Sequence, residues 1–149
     1  MTVDDVIAFM RTQMLGVVAT NGPDGQPQAA LVGIAISDRC EIVFDAAGAS
    51  RKLRNLRLDP HIAVVIGGTA DDERTVQCEG VADEPAGAER ERIREVYFTR
   101  YPSGRDRLAW EGITHVRVRP HWIRYSDFNQ SPPLIVEASS DPSGALVVH

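Results

Sequence analysis

Apolar and polar positions change period several times along this chain, and each change marks an element. Val3, Val6, Ile7 and Met10 stand at i, i+3, i+4 and i+7 behind Thr2, which predicts an amphipathic helix capped at its start. Residues 14–20 then read as a strand, and Asn21-Gly22-Pro23-Asp24-Gly25 as a turn that folds the next strand, 27–37, back as a hairpin. Asp38-Arg39 turns into a third strand over 40–45. A small-residue loop, Ala46-Ala47-Gly48-Ala49, leads to a short helix opening at Ser50 and closed by Asp59-Pro60, with Leu53 and Leu56 as its apolar face. Residues 61–66 and 75–82 are strands four and five, separated by a polar loop. Residues 85–101 read helical, with Ile93, Val96 and Tyr97 on one face. Val116 and Val118 alternate with His115, Arg117 and Arg119 in a half-buried strand that 121–128 extends. From Asn129 the turn-rich text predicts an irregular tail in which Leu134, Ile135 and Val136 dock.

Six short strands, hairpin-linked at first and interrupted by helices, predict an α+β fold: mainly β with α, a six-stranded antiparallel split barrel with flanking helices. A parallel doubly wound sheet would need helices between the first three strands, and there is no room for them. The 149 residues make one ordinary domain, expected over 1–128, with 129–149 as a C-terminal tail.

Composition narrows the function classes. The apolar fraction of 43% and charged fraction of 25% are those of a soluble globular protein. Net charge is −5, and without the four cations and no acids of residues 50–57 the balance is 12 against 21. The basic cluster thus stands out from an acidic body, which points to a local anionic ligand and away from nucleic acid. No apolar run spans a membrane. Cys40 and Cys78 form no Cys-x-x-Cys pair and read as buried, reduced thiols of a cytoplasmic protein. His61, His115, His121 and His149 are scattered, so no metal site is expected. No nucleophile elbow or Gly-rich nucleotide loop is present, and no catalytic side chain is assigned.

One charge pattern carries chemistry. Arg51 and Lys52 occupy the first turn of the Ser50 helix, and Asp59 stands at its far end. The helix dipole prefers the reverse by about 0.3–1 kcal/mol per charge. Free N–H groups, a serine and two cations make an anion site suited to phosphate. The alternative is a solvated basic helix end capped by Ser50. Arg54 and Arg57, further along, read as a solvated face.

In this strand context the chain resembles the pyridoxamine 5'-phosphate oxidase-like family of FMN-binding split barrels. The resemblance rests on Gly25-Gln26-Pro27, Ile42-Val43-Phe44-Asp45, Ser50-Arg51-Lys52, Asn55-Leu56, Asp59-Pro60-His61-Ile62-Ala63-Val64-Val65 and Arg74-Thr75-Val76-Gln77-Cys78-Glu79-Gly80, and covers roughly residues 5–128. It implies FMN, or in some branches a deazaflavin, held between the two protomers of a homodimer. Ser50, Arg51 and Lys52 would take the cofactor phosphate. Val43, Phe44 and Asp45 would lie along the flavin, and Thr75 would reach it from the fifth strand. For Asp45, an Asx-type turn at the start of the loop is the competing reading.

The sequence also departs from the oxidase itself. Two cations of the strand after Gly-Gln-Pro are replaced by Ala30 and Ala35. Where the oxidase sets Tyr, Arg and Ser on the substrate phosphate, this chain has Tyr97, Tyr101 and Arg105, so these are the candidate substrate residues, with core packing as the alternative for the aromatics. The resemblance therefore implies a flavin-dependent oxidoreductase acting on a small substrate less anionic than pyridoxine phosphate. A deazaflavin-dependent reductase and a non-catalytic flavin-binding or storage module are the alternatives.

Overall fold

A computed structural model describes all residues, 1–149. Helix α1 (Val3–Arg11) starts with the expected reciprocal cap: the Asp5 amide donates to Thr2 Oγ1 at 3.2 Å and the Thr2 amide to Asp5 Oδ2 at 2.7 Å. Its Val6, Ile7, Phe9 and Met10 are buried. Strands β1 (Leu15–Asn21) and β2 (Pro27–Gly33) form the hairpin, closed by Gly25 at φ +80°. The strand expected over 27–37 breaks at Ile34 into β2 and the two-residue β3 (Ala35–Ile36), and β4 is Ile42–Ala46. Helix α2 spans Arg51–Leu58, β5 His61–Gly67 and β6 Arg74–Asp83. Helix α3 (Gly87–Arg100) runs into a 3₁₀ segment, Pro102–Ala109, before β7 (Thr114–Asp127).

All pairings are antiparallel, in the order β2-β1-β5-β6-β7-β4-β3. Because β3 follows β2 after a single residue, the two ends of that order belong to one stretch of chain, and the sheet curls into a split barrel. β2 pairs only with β1, and β3 pairs with β4 at Ala35–Val43 and Ile36–Ile42. The barrel stays split between β2 and the far end of β4. Alternation in β5 sends Ile62, Val64 and Ile66 inward and His61, Ala63 and Val65 outward. A cluster of 24 buried residues fills the barrel, and a second of five (Ala35, Val43, Ile93, Tyr97 and Phe98) seals α3 against it.

The architecture has nine strands where six were expected. The two segments around Pro120 are one 14-residue strand, β7, whose register against β6 shifts at Glu79/Gly80. The shift accommodates a proline that cannot join a regular ladder. A Cβ on Gly80 would stand 2.4 Å from the Arg119 carbonyl oxygen, so only glycine fits. The tail, expected to be irregular, forms β8 (Leu134–Ser140) on β7 and β9 (Leu146–Val148) on β8. Asp141 closes their turn by accepting from the Ser143 and Ala145 amides, and Leu146 and Val148 pack on the core.

The charges of α3 join an ion-pair network. Arg92 donates to both oxygens of buried Glu41 at 2.8 Å and also pairs with Glu89. Arg117 joins Glu89 at 2.7 Å and Asp83 at 2.6 Å. This network ties α3 to β6, β7 and the turn before β4. Cys40 and Cys78 are buried free thiols, and burial pushes Cys40 up to about 12. No helix is long and apolar enough to cross a membrane.

Candidate functional site

The loop before α2 is seated by contact between two glycines: a Cβ on Gly48 would come within 3.2 Å of Gly112 Cα. It delivers Ser50 in extended conformation, φ −68° and ψ 145°, to the N-cap position of α2. The expected serine cap is not made. Ser50 Oγ is buried and has no hydrogen-bond partner, and no acidic residue stands in the first turn. A buried hydroxyl normally finds a partner, so this one is free for a ligand at a helix N-terminus.

The helix is held in place from below. Asn55, one turn after Arg51, donates to Thr20 Oγ1 at 3.0 Å and to Gln28 Oε1 at 2.9 Å. The same Gln28 oxygen accepts from Arg51 Nε at 3.1 Å. A chain from β1 through α2 to β2 thus fixes the guanidinium and leaves its two terminal nitrogens available. Val18, Thr20, Gln28, Ala30, Arg51 and Lys52 line a cleft of about 310 Å³. Neither Arg51 nor Lys52 has a carboxylate within salt-bridge distance, although most arginines of the protein do. Arg57, expected to be solvated, pairs with Glu84 at 2.9 Å. Thr20 and Gln28 were not among the expected site residues, and Asn55 stood only among the residues carrying the family resemblance. The signal for Asn55 was an amide one helical turn from Arg51, beside the apolar face.

The remaining candidates are dispersed around this cleft. Val43 and Phe44 are fully buried, Phe44 in the barrel core and Val43 beneath α3, so only their backbone can face a ligand. Asp45 makes no Asx turn. It lies within β4, and its Oδ2 stands 2.5 Å from Arg107 Nε. Arg107 also donates to the Tyr97 hydroxyl at 3.0 Å, and burial pushes that phenol up to about 12. Tyr97 is buried against Tyr101, ring centroids 5.1 Å apart, and Tyr101 donates to the Met14 carbonyl. Arg105 pairs with Glu95 at 3.0 Å and stacks over Phe98. The guanidinium beside Asp45 and Tyr97 is therefore Arg107.

Opposite Asp45 on β7 is His115, edge-on to Tyr97 and Phe98, with both ring nitrogens buried and unpartnered. Burial lowers its pKa, the Asp45 charge opposes that shift, and Arg94 and Arg107 add to it. Thr75 lies apart. It pairs with Gly67 and Ser126, whereas Thr20 of the cleft aligns through Ile62 with Gly80, five residues along β6. At about 3.3 Å per residue that is roughly 16 Å.

Comparisons with known proteins agree with this architecture. The sequence matches the profile of the family described as pyridoxamine 5'-phosphate oxidase over residues 3–127. No curated protein matches. Among solved structures, a heme binding protein from Mycobacterium smegmatis superposes with TM-score 0.76 at 19% identity, over 89% of this chain and 55% of its own. The chain thus spans about half the length of that protein. A pyridoxamine 5'-phosphate oxidase-related, FMN binding protein from Nostoc punctiforme gives 0.76 at 9% identity over 97% and 94%. A conserved hypothetical protein from Mycobacterium tuberculosis gives 0.70 at 28% identity over 85% of each chain. With nearly the whole barrel inside the matched span, the chain belongs to the pyridoxamine 5'-phosphate oxidase family.

Proposed function

We propose that this protein binds FMN through a phosphate clamp at Ser50, Arg51 and Lys52 and works as a flavin-dependent oxidoreductase on a small substrate. The observation that carries the reading is the buried, unpartnered Ser50 hydroxyl between free amides and two cations that lack carboxylates. These donors suit a phosphate; heme is bound by the Mycobacterium smegmatis neighbour, and none of Ser50, Arg51 and Lys52 is a usual ligand of heme iron. Ala30 opens the floor of the cleft where the oxidase carries a cation, which leaves the clamp to α2 alone.

When bound, a flavin supplies the hydride chemistry, and the protein contributes binding, orientation and electrostatics. Ser50 and the first amides of α2 donate to the phosphate, Arg51 and Lys52 neutralise it, and Gln28 orients Arg51. The backbone of β4 from Val43 to Asp45 would border the ring, and the Asp45–Arg107–Tyr97 cluster would supply polar groups on that side.

The active form is a homodimer with the cofactor at the subunit interface. Leu31, Val17 and Val65 lie side by side across β2, β1 and β5 and are 65%, 40% and 46% exposed, with Ala29, Ala19 and Ala63 in the adjacent row. An outward apolar sheet face of this kind marks an interface. The distance of Thr75 from the clamp within one protomer gives it a role only from the partner's side.

The test is titration of flavin-free protein with FMN and, separately, a deazaflavin. A saturable rise in melting temperature is expected with FMN, equivalent to about 2.7 kcal/mol at one hundred times Kd. No shift with either compound would overturn the reading.

A further inference from the structure

A cavity of about 600 Å³ does not touch the clamp. It lies at the terminal edge of the sheet, between β3, the end of α1 and the flank of α3 carrying Val96, Thr99 and Arg100. These α3 residues follow the i, i+3, i+4 stripe beside the face buried by Ile93 and Tyr97. Ile34, Ala35 and Ile36 line the cavity floor and are themselves nearly wholly buried, so the open apolar surface comes from their edges and from half-buried Val96. Two guanidinium groups stand over it. Arg11 is anchored by a bond from Nε to the Ile36 carbonyl at 3.2 Å, and its terminal NH2 is 3.8 Å from Asp38, too far for a hydrogen bond. Arg100 has no carboxylate partner at all.

That isolation is unusual here. The cations without a carboxylate are Arg39, Arg51, Lys52, Arg54 and Arg100. Arg39, Arg51 and Arg54 are exposed to solvent, and only Lys52 and Arg100 are half-buried. A partly desolvated, unpaired charge is costly unless an anion meets it. Glu95 and Asp38 also line the cavity, but Glu95 is held by Arg105 and the Asp38 side chain is almost wholly in solvent.

We propose that this groove binds a small amphipathic carboxylate, its head between Arg11 and Arg100 and its hydrocarbon body on the floor between β3 and Val96. Guanidinium groups match carboxylates through paired hydrogen bonds, and the volume lies within the range of small-molecule sites. The site is independent of the flavin.

Octanoate is the probe, titrated into the full chain with FMN present and followed by amide NMR, with 1-octanol as the uncharged control. The expected result is saturable binding with shifts at Arg11, Ile36, Thr99 and Arg100. Arg100→Gln should weaken it about tenfold, as loss of a charge-assisted bond implies. Val96→Asp, which leaves both arginines in place, should weaken it similarly through repulsion. Shifts centred on Ser50–Lys52, equal binding of octanol, non-saturating shifts, or unchanged affinity in both folded variants would each overturn the proposal. Shifts centred on Ser50–Lys52 would also count against a clamp filled by FMN; the other results leave FMN binding untouched.

Discussion

Arg107 and Asp45 meet at 2.5 Å, and the same guanidinium donates to Tyr97, so one residue of the 3₁₀ segment joins β4 to α3. The side chains are 27% and 16% exposed, so the pair is only partly screened. Asp45→Asn or Arg107→Met should each cost about 1–3 kcal/mol in urea unfolding. The double variant should cost less than the sum, with a coupling near 1 kcal/mol. Strict additivity would show that the contact does not hold the segment.

The idle Ser50 hydroxyl separates a cap from a ligand group. An ordinary N-cap serine is worth about 1 kcal/mol. Ser50→Ala should leave the stability of ligand-free protein within about 0.5 kcal/mol, because no cap bond is lost. The same change should weaken FMN binding about tenfold in a fluorescence titration.

His115 predicts a pH effect. Its pKa in the folded state lies below the ordinary value, so the unfolded chain takes up its proton first as pH falls. The neutral ring's contribution is complete above about pH 6.5 and is lost on acidification toward the folded pKa, by at most about 1.4 kcal/mol per pH unit. His115→Phe should therefore lose less stability than the natural protein between pH 7.5 and 5, measured by urea unfolding at both ends.

Arg92 offers a stability test away from the cofactor cleft. Removing it leaves Glu41, 6% exposed, facing only Arg117 at 3.4 Å and the Ser37 hydroxyl at 2.7 Å. Arg92→Ala should cost about 3 kcal/mol, and Arg92→Met with Glu41→Leu distinctly less.

The proposed dimer places its interface on the outward face of β2, β1 and β5. Leu31→Asp should yield a monomer in light-scattering chromatography and reduce FMN affinity with it. A variant that stays dimeric would move the interface elsewhere.

Local physics made much of this legible in the sequence. The Thr2 cap, the Asn21–Gly25 turn and the Leu53–Leu56 face of α2 depend on neighbours a few residues away, and all appear where they were read. What was missed depends on distant contacts. Asp141, Ser143 and Gly144 read as loop text, yet they turn a hairpin whose strands exist only because β7 offers an edge. Pro120 divides β7 in the sequence but not in space, because Gly80 on the neighbouring strand leaves room for the bulge. The proposed anion site was visible as a misplaced charge on α2. Its support from Gln28 and Thr20 was not, since residues 35 and 27 positions from Asn55 meet it only after the sheet has formed. Arg105 matched the family's spacing, whereas the path of the 3₁₀ segment brings Arg107 to Tyr97.

The clamp itself is tested most directly by comparing FMN with riboflavin, which lacks the phosphate, on the natural protein and on Arg51→Ala with Lys52→Ala. The double variant should lose about a hundredfold in FMN affinity, as two charge-assisted contacts imply, while riboflavin binding changes less than threefold. Equal losses for the two ligands would contradict a phosphate site at Ser50, Arg51 and Lys52.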